Sequence, residues 1–463
     1  MSYSFTVFAR KVLTSRTQGV CLFIALALLP GFLSAKEYTI KQIADKTLLN
    51  REPVISETGL IAWYAYERSQ DTSRADIFIY QDGIAQKLTK NKGDSGLHPY
   101  VYRDTVVWAG SLSKEVEYQE TVYVAPEPEE INANELTATN GSETAVESAE
   151  PKATRAPVAT MVTKTMLKKG WGICIWSDGQ AKPISFSLDR EPPRLSSVPS
   201  ATNQLSDSLS TLNTDLPQES ADGVLNVTSP VCWGDYVSWQ RASPWPCGWE
   251  IVLSRVGDAP QQLTTNCYYD MGPQMHDRYL VWYAWDGQDY EIMMRDLETG
   301  ETVQLTNNNF DDVSPVIWNG VVAWEGYPSV EGDIFLWREG KITMISDNIE
   351  DDVNPQIWDK YVVWQGIQDD NYEIFLYDGA STRRITNNHY DDVDPDIRDS
   401  VLCWVGYVDN WDAEVLIQEV NESTPTILTE NDYEDHHPRT ANGAVVWEAK
   451  RVGLPLIYVA EPR

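Results

Sequence analysis

Short apolar runs alternate with polar turns along this chain, and the pattern recurs. Asp312-Val313-Ser314-Pro315-Val316-Ile317-Trp318 and Asp352-Val353-Asn354-Pro355-Gln356-Ile357-Trp358 are near copies. Each precedes a β-rich run ending in Trp, Val321-Val322-Ala323-Trp324 and Tyr361-Val362-Val363-Trp364. The step from Pro to Trp serves as a ruler. It is nine residues from 99 to 108, 230 to 239, 273 to 282, 315 to 324, 355 to 364, 395 to 404 and 438 to 447, and ten from 53 to 63. Eight copies at a near-constant spacing are a structural repeat.

Each copy predicts four short strands. Strand A follows the Pro, since a strand's first position needs no N–H. A tight turn such as Asn319-Gly320 or Gly234-Asp235 comes next, built from residues that accept positive φ. Strand B ends on the Trp. Strand C carries an acidic residue and then an apolar run, as in Asp333-Ile334-Phe335-Leu336-Trp337, and strand D closes on pairs such as Leu88-Thr89 and Ile345-Ser346. A four-stranded unit repeated about every 40 residues implies an all-β fold, a single β-propeller. Eight copies imply eight blades; a seven-bladed ring with one divergent copy is the alternative. The last copy stops before its strand D. Gln42-Ile43-Ala44-Asp45 resembles Met344-Ile345-Ser346-Asp347, so the N-terminal strand is expected to complete that blade and remove an exposed edge. The eight strand-B Trp residues, at one position in every copy, are expected to pack between blades.

The repeat resembles a known family. Leu305-Thr306-Asn307-Asn308 leading through Asp312 to Pro315 and Trp318, then Asp333-Ile334-Phe335, is similar to the TolB-like propeller repeat. Two departures stand out. The family's Ser-Pro-Asp-Gly turn between strands A and B is shorter here. The α/β domain that precedes the propeller in TolB has no place either, because the first blade is expected directly after the leader. The resemblance therefore implies the blade type, and docking to a peptidoglycan-associated lipoprotein is not carried over.

Residues 1–35 read as a signal peptide, with an uncleaved N-terminal anchor as the alternative: Arg10, Lys11 and Arg16 precede an apolar run from residue 20 to 29, too short to span a bilayer with ease. Export to the periplasm or the medium follows, with residues 36–463 as the propeller and no transmembrane segment after leader removal. Two stretches break the period. Residues 111–170, within blade 2, hold ten Glu and no Lys or Arg between Glu115 and Glu150; within them 121–124 and 158–166 suit a projecting hairpin. Residues 187–228, between blades 2 and 3, are Ser/Thr-rich. In a four-stranded meander both leave from the face that carries the B–C and D–A loops.

Composition narrows the partners. With 36 Lys+Arg against 69 Asp+Glu the net charge is −33, which repels nucleic acid. A monomer that binds a protein, peptide or glycan is expected. Acidic and aromatic residues converge on the loop-bearing face. Asp270, Asp312, Asp352, Asp392 and Asp435 stand three residues before their Pro, and Trp245, Trp249, Tyr283, Trp285, Tyr327, Tyr372, Tyr407 and Trp411 lie in or beside B–C loops. A repeated turn Asp reads first as an acceptor of N–H bonds that fixes its loop; the alternative is a Ca²⁺-binding rim. The residues before each Pro should ring the channel mouth, where Glu52, His98 and His437 fall on adjacent blades and offer a transition-metal set. No nucleophile motif is present. A non-catalytic binding role leads; a metal-assisted polysaccharide lyase or hydrolase at the channel mouth is the alternative. Cys247 and Cys267 are candidates for a disulfide between two loops of the face.

Overall fold

The computed structural model describes residues 37–67, 75–89, 96–112, 117–124, 158–165, 170–186, 227–243, 248–346, 348–408, 412–451 and 454–463. Tyr38–Pro462 form one compact unit, and of the remainder only Glu37 and Arg463 are described. Residues 1–35, expected from the sequence to be a signal peptide, lie outside the described residues.

Tyr38–Pro462 make an eight-bladed, all-β propeller. Each blade is a four-stranded antiparallel sheet in the order A-B-C-D. The A strands are Leu48–Ile55, Leu97–Tyr102, Val227–Trp233, Asp270–His276, Asp312–Trp318, Asp352–Trp358, Asp392–Arg398 and Glu434–Ala441, and each packs on those of the neighbouring blades. Blade 8 takes its outer strand from the N-terminus: Tyr38–Gln42 pairs antiparallel with Leu454–Pro462. The match continues past the ladder, because the Ile43 amide donates to the Ile457 carbonyl at 2.9 Å. Ile345 bonds to Ile334 in the same way in blade 5, also at 2.9 Å, so the N-terminal segment stands where each other blade has its own strand D.

The core is eight small cores, one at each blade boundary. Every strand-B Trp (63, 108, 239, 282, 324, 364, 404 and 447) is at most 2 % exposed. Each inserts into the blade before it: Trp364 packs on Ala323, Ile334 and Leu336 of blade 5, and Trp63 on Val446, Ile457 and Val459 of blade 8. Truncating one such Trp would cost about 3–5 kcal/mol, so the repeated position is explained by packing.

One expectation is corrected. Strand A does not begin at the proline; it begins about three residues earlier, and the Pro sits inside it. The ladder absorbs the missing N–H with a bulge: in every blade the A–B register slips across the Pro, between Val313 and Val316 in blade 5 and at the matching place in the other seven. The residue before the Pro is left-handed each time. Glu52, His98, Ser229, Gly272, Ser314, Asn354, Asp394 and His437 all have φ between 46° and 62°. None is β-branched, since such side chains are poorly tolerated there.

Blade 2 carries an extra hairpin, Glu117–Val124 with Val158–Thr165, between its strands B and C. Strand D of that blade ends at Phe186, and the next described strand is Val227–Trp233. Among the described residues no helix is long and apolar enough to cross a membrane.

Candidate functional site

The five repeated aspartates lie beneath the face, not on it. Asp270, Asp312, Asp352, Asp392 and Asp435 are at most 1 % exposed. Each accepts the indole N–H of its own blade's Trp, at 2.9 Å from Trp282, 2.6 Å from Trp324, 2.7 Å from Trp364, 2.8 Å from Trp404 and 3.0 Å from Trp447. In blades 5 to 8 the second oxygen accepts the amide of an Asn four residues earlier, as Asn348 gives to Asp352 at 2.6 Å. Space for the carboxylate is reserved by a small residue: a Cβ on Gly366 would lie 2.0 Å from Asp352 Oδ1. Burial pushes the pKa of Asp312, Asp352, Asp392 and Asp435 up to about 7, against the pull of these donors. These groups fix loops.

The acid just before each of them does reach the surface. Asp311 and Asp391 are exposed and Asp351 half-buried, and they accept the backbone N–H of Tyr290, Tyr372 and Gly332 at 3.0, 2.9 and 2.8 Å. Each thereby ties a D–A loop to the B–C loop of the preceding blade. Among the aromatic candidates, Trp249, Tyr283, Trp285, Tyr327, Tyr372 and Tyr407 are half-buried. Tyr327 donates to Glu325 at 3.1 Å, while Trp285 packs edge-on against Tyr290, with ring centres 5.2 Å apart. Trp245 and Trp411 lie outside the described residues.

The channel mouth holds a polar network across blades 8, 1 and 2. Glu52 meets His98 Nδ1 at 2.8 Å and accepts the Tyr64 hydroxyl at 2.9 Å. Burial raises the Glu52 carboxyl, but these two partners outweigh it and the net shift is downward. Arg51 donates to Glu448 at 2.6 Å, and His437 Nδ1 lies 4.0 Å from that same Glu448. Of the three candidate ligands, Glu52 and His98 bond to each other and His437 stands beside Glu448. The opposite end of the channel is lined by a row of mutually tilted rings, Tyr102–Trp233–His276–Trp318, at 4.0 to 4.2 Å between centres. Arg398 lies over the Trp318 ring at 4.9 Å, and a cavity of about 100 Å³ remains there.

The larger hollow lies where blade 3 meets blade 4. This cleft of about 490 Å³ is lined by Asn266 and Tyr268 from the D–A loop, Trp285 from the end of strand B, Asp286 from the B–C loop, and Glu291 and Gln304 from strands C and D. The loop bearing Tyr268 and Tyr269 is anchored on both sides. Glu250 accepts the Cys267 amide at 3.2 Å, and the Trp285 amide donates to the Tyr269 carbonyl at 2.9 Å. Tyr268 and Tyr269 are 43 % and 49 % exposed. They were not singled out by sequence reasoning, although the signal exists: Tyr269 stands where the next blades have Asp311, Asp351 and Asp391. Cys267 is disulfide-bonded, and Cys174, Cys232 and Cys403 are buried. Cys247 lies outside the described residues.

At the rim of this cleft stand Asp286, Asp289 and Glu291. Their ligand atoms all fall within 4.8 Å of one another, the one such group among the described residues. Burial pushes the Asp289 pKa up to about 6, and Glu291, Asp286 and Asp311 add to the rise.

No family model and no curated protein matches the sequence. Solved structures do. Porphyromonas gingivalis dipeptidyl peptidase 4 is similar at a TM-score of 0.51 and 9% identity, over 89% of this chain and 57% of its own. The computationally designed Ika8 protein is similar at 0.50 and 10% identity, over 90% of this chain and 98% of its own. TolB from Acinetobacter baumannii matches 64% of this chain and 76% of its own at 12% identity and a TM-score of 0.34. This chain thus spans little more than half of the peptidase's length. At such identities the likeness shows the fold alone: a β-propeller.

Proposed function

We propose that this protein is an exported, non-catalytic propeller that binds a carbohydrate in the cleft between blades 3 and 4. The observation that carries this reading is the lining of the cleft. Two aromatic rings, Tyr268 and Trp285, stand beside the side-chain amides of Asn266 and Gln304, the hydroxyls of Thr264, Thr265 and Thr302, and the carboxylates of Asp286 and Glu291. Aromatic faces take the apolar side of a sugar ring, and planar amides and carboxylates take its hydroxyls. A cleft of about 490 Å³ suits one or two sugar units. Export rests on the leader, and the non-catalytic assignment on the lack of a nucleophile motif.

A glycan array on the mature chain, followed by calorimetry, tests the reading. Trp285→Ala and Tyr268→Ala should each weaken binding about tenfold or more, with thermal unfolding unchanged. Binding of cationic peptides in place of glycans would move the cleft to a peptide-recognition role. Glycan binding indifferent to both substitutions would remove the cleft from the function.

A further inference from the structure

We infer that the B–C loop of blade 4 is a calcium site, built by Asp286, Asp289 and Glu291. The group stands out because Asp289 is buried with neither carboxylate oxygen paired. Asp289 is 5 % exposed and Glu291 1 %. Both carboxylate oxygens of Asp289 are fully enclosed with no hydrogen-bond partner, whereas Glu291 accepts the Asn308 N–H on Oε1 at 2.8 Å and leaves only Oε2 unpaired, as Glu373 does in blade 6. An enclosed carboxylate without donors is costly unless a proton or a cation joins it. Asp286 faces the pair from the exposed side of the turn, where its Oδ1 accepts the backbone N–H of Gln288 at 2.8 Å and of Asp289 at 3.3 Å.

Blade 6 holds the same position differently, and it supplies an internal control. Asp289 follows Trp282 by seven residues and precedes Glu291 by two; Asn371 stands in the same relation to Trp364 and Glu373. Asn371 is a donor: its amide gives to Glu373 Oε1 at 2.9 Å and to the Tyr390 carbonyl at 2.9 Å. Arg384 adds a guanidinium to Glu373 Oε1 at 2.7 Å and to Asp369 at 2.9 Å. Blade 6 therefore meets its buried glutamate with an amide and a fixed positive charge. In blade 4 both are replaced. Asp289 brings an acceptor where Asn371 brings a donor. Gln304, paired with Met293 as Arg384 is with Phe375, brings no charge. The positive charge that blade 6 carries on its own chain is missing from blade 4, and a bound dication restores it.

The donor set selects the metal. All three ligands are carboxylates, with no imidazole or thiolate among them, which suits a hard cation. Six to eight oxygens at about 2.3–2.6 Å are needed for Ca²⁺, so water and loop carbonyls complete the shell. Asp286 and Glu291 also line the cleft, which places the ion in its wall. Cation binding is measured without any glycan, so this inference and the carbohydrate reading can fail separately.

The test uses the mature chain, stripped with chelator and titrated with Tb³⁺, whose luminescence Trp285 is placed to sensitise, and then with Ca²⁺ as competitor. The expected result is a saturable Tb³⁺ signal displaced by Ca²⁺ with an affinity of about 10⁻⁴–10⁻³ M or tighter, with Mg²⁺ weaker, and a thermal midpoint raised by Ca²⁺. Asp289→Asn reproduces the residue of blade 6 and should fold. It should lose at least tenfold in Ca²⁺ affinity and most of the thermal shift, while Asp369→Asn in blade 6 changes neither. Absence of Ca²⁺-displaceable signal in the unmutated protein, or full Ca²⁺ affinity in Asp289→Asn, overturns the inference and leaves Asp289 as a proton-sharing acid.

Discussion

Blades 5 to 8 and blades 2 and 3 solve one problem in different ways. In the first group a buried Asp joins the Trp indole to an Asn, so the core Trp and the loop above it are held by one carboxylate. In the second group Gly96 and Val227 occupy the Asp position, and the Nε1 atoms of Trp108 and Trp239 are enclosed without a partner. Blade 1 lies between the two, with Asn50 accepting from Trp63 at 3.0 Å. The two stretches that break the repeat also leave from blade 2. A blade whose Trp is held by packing alone still closes the ring. The carboxylate therefore adds loop definition to a core that packing already specifies.

The largest blow to that comparison should come from Asp352→Ala. It leaves the Trp364 N–H and the Asn348 amide without their acceptor and should cost about 2–4 kcal/mol in denaturant unfolding. A cost below about 1 kcal/mol would mean that the Asp blades depend on packing as fully as blades 2 and 3 do.

A second substitution attacks the other side. A Cβ on Gly96 would lie 2.4 Å from Trp108 Cδ1 and 2.5 Å from Ile77 Cγ1, because the ring fills the space that the Asp side chain takes elsewhere. Gly96→Ala should therefore destabilise by about 1–3 kcal/mol, measured in the same way, and a neutral result would show that blade 2 has room for the missing residue.

The smallest effect is a slope. Burial lifts four aspartates from the ordinary 3.8 to about 7. Between about pH 4 and 7 the folded chain keeps protons that the unfolded chain has released. Their stabilising share is complete below pH 4 and is lost as pH rises through 7, so the thermal midpoint should be higher at pH 5.5 than at pH 8. Asp352→Asn should flatten that dependence by at most about 1.4 kcal/mol per pH unit. An unchanged slope would mean that Asp352 is already ionised in the fold.

Much of the ring could be read from the chain, because packing positions repeat in kind. A Trp nine residues after a Pro leaves its mark in every copy, and the closing strand announced itself through Ile43 and Ala44. The left-handed bulge was harder to see, since Glu, His, Ser, Gly, Asn and Asp all fill it and only the lack of β-branching is shared. In the doubled acids the sequence does not say which member is buried; a bond to an indole decides it. The meaning of Asp289 lies in a contrast with Asn371 that only aligned strands reveal. Tyr268 and Tyr269 were overlooked for a similar reason, as an exception within a run of acids.

The outer strand of blade 8 has a consequence for assembly. Lys41 and Glu461, whose side chains pair across that seam, are 420 positions apart in the chain. The Tyr38–Gln42 strand must wait, unpaired, until the Leu454–Pro462 strand has been made. Bringing such remote partners together is slow, so ring closure is expected to be the late step of maturation. Until then the Leu454–Pro462 edge stays open to any other strand, and a helper that shields it would find its task at this one seam.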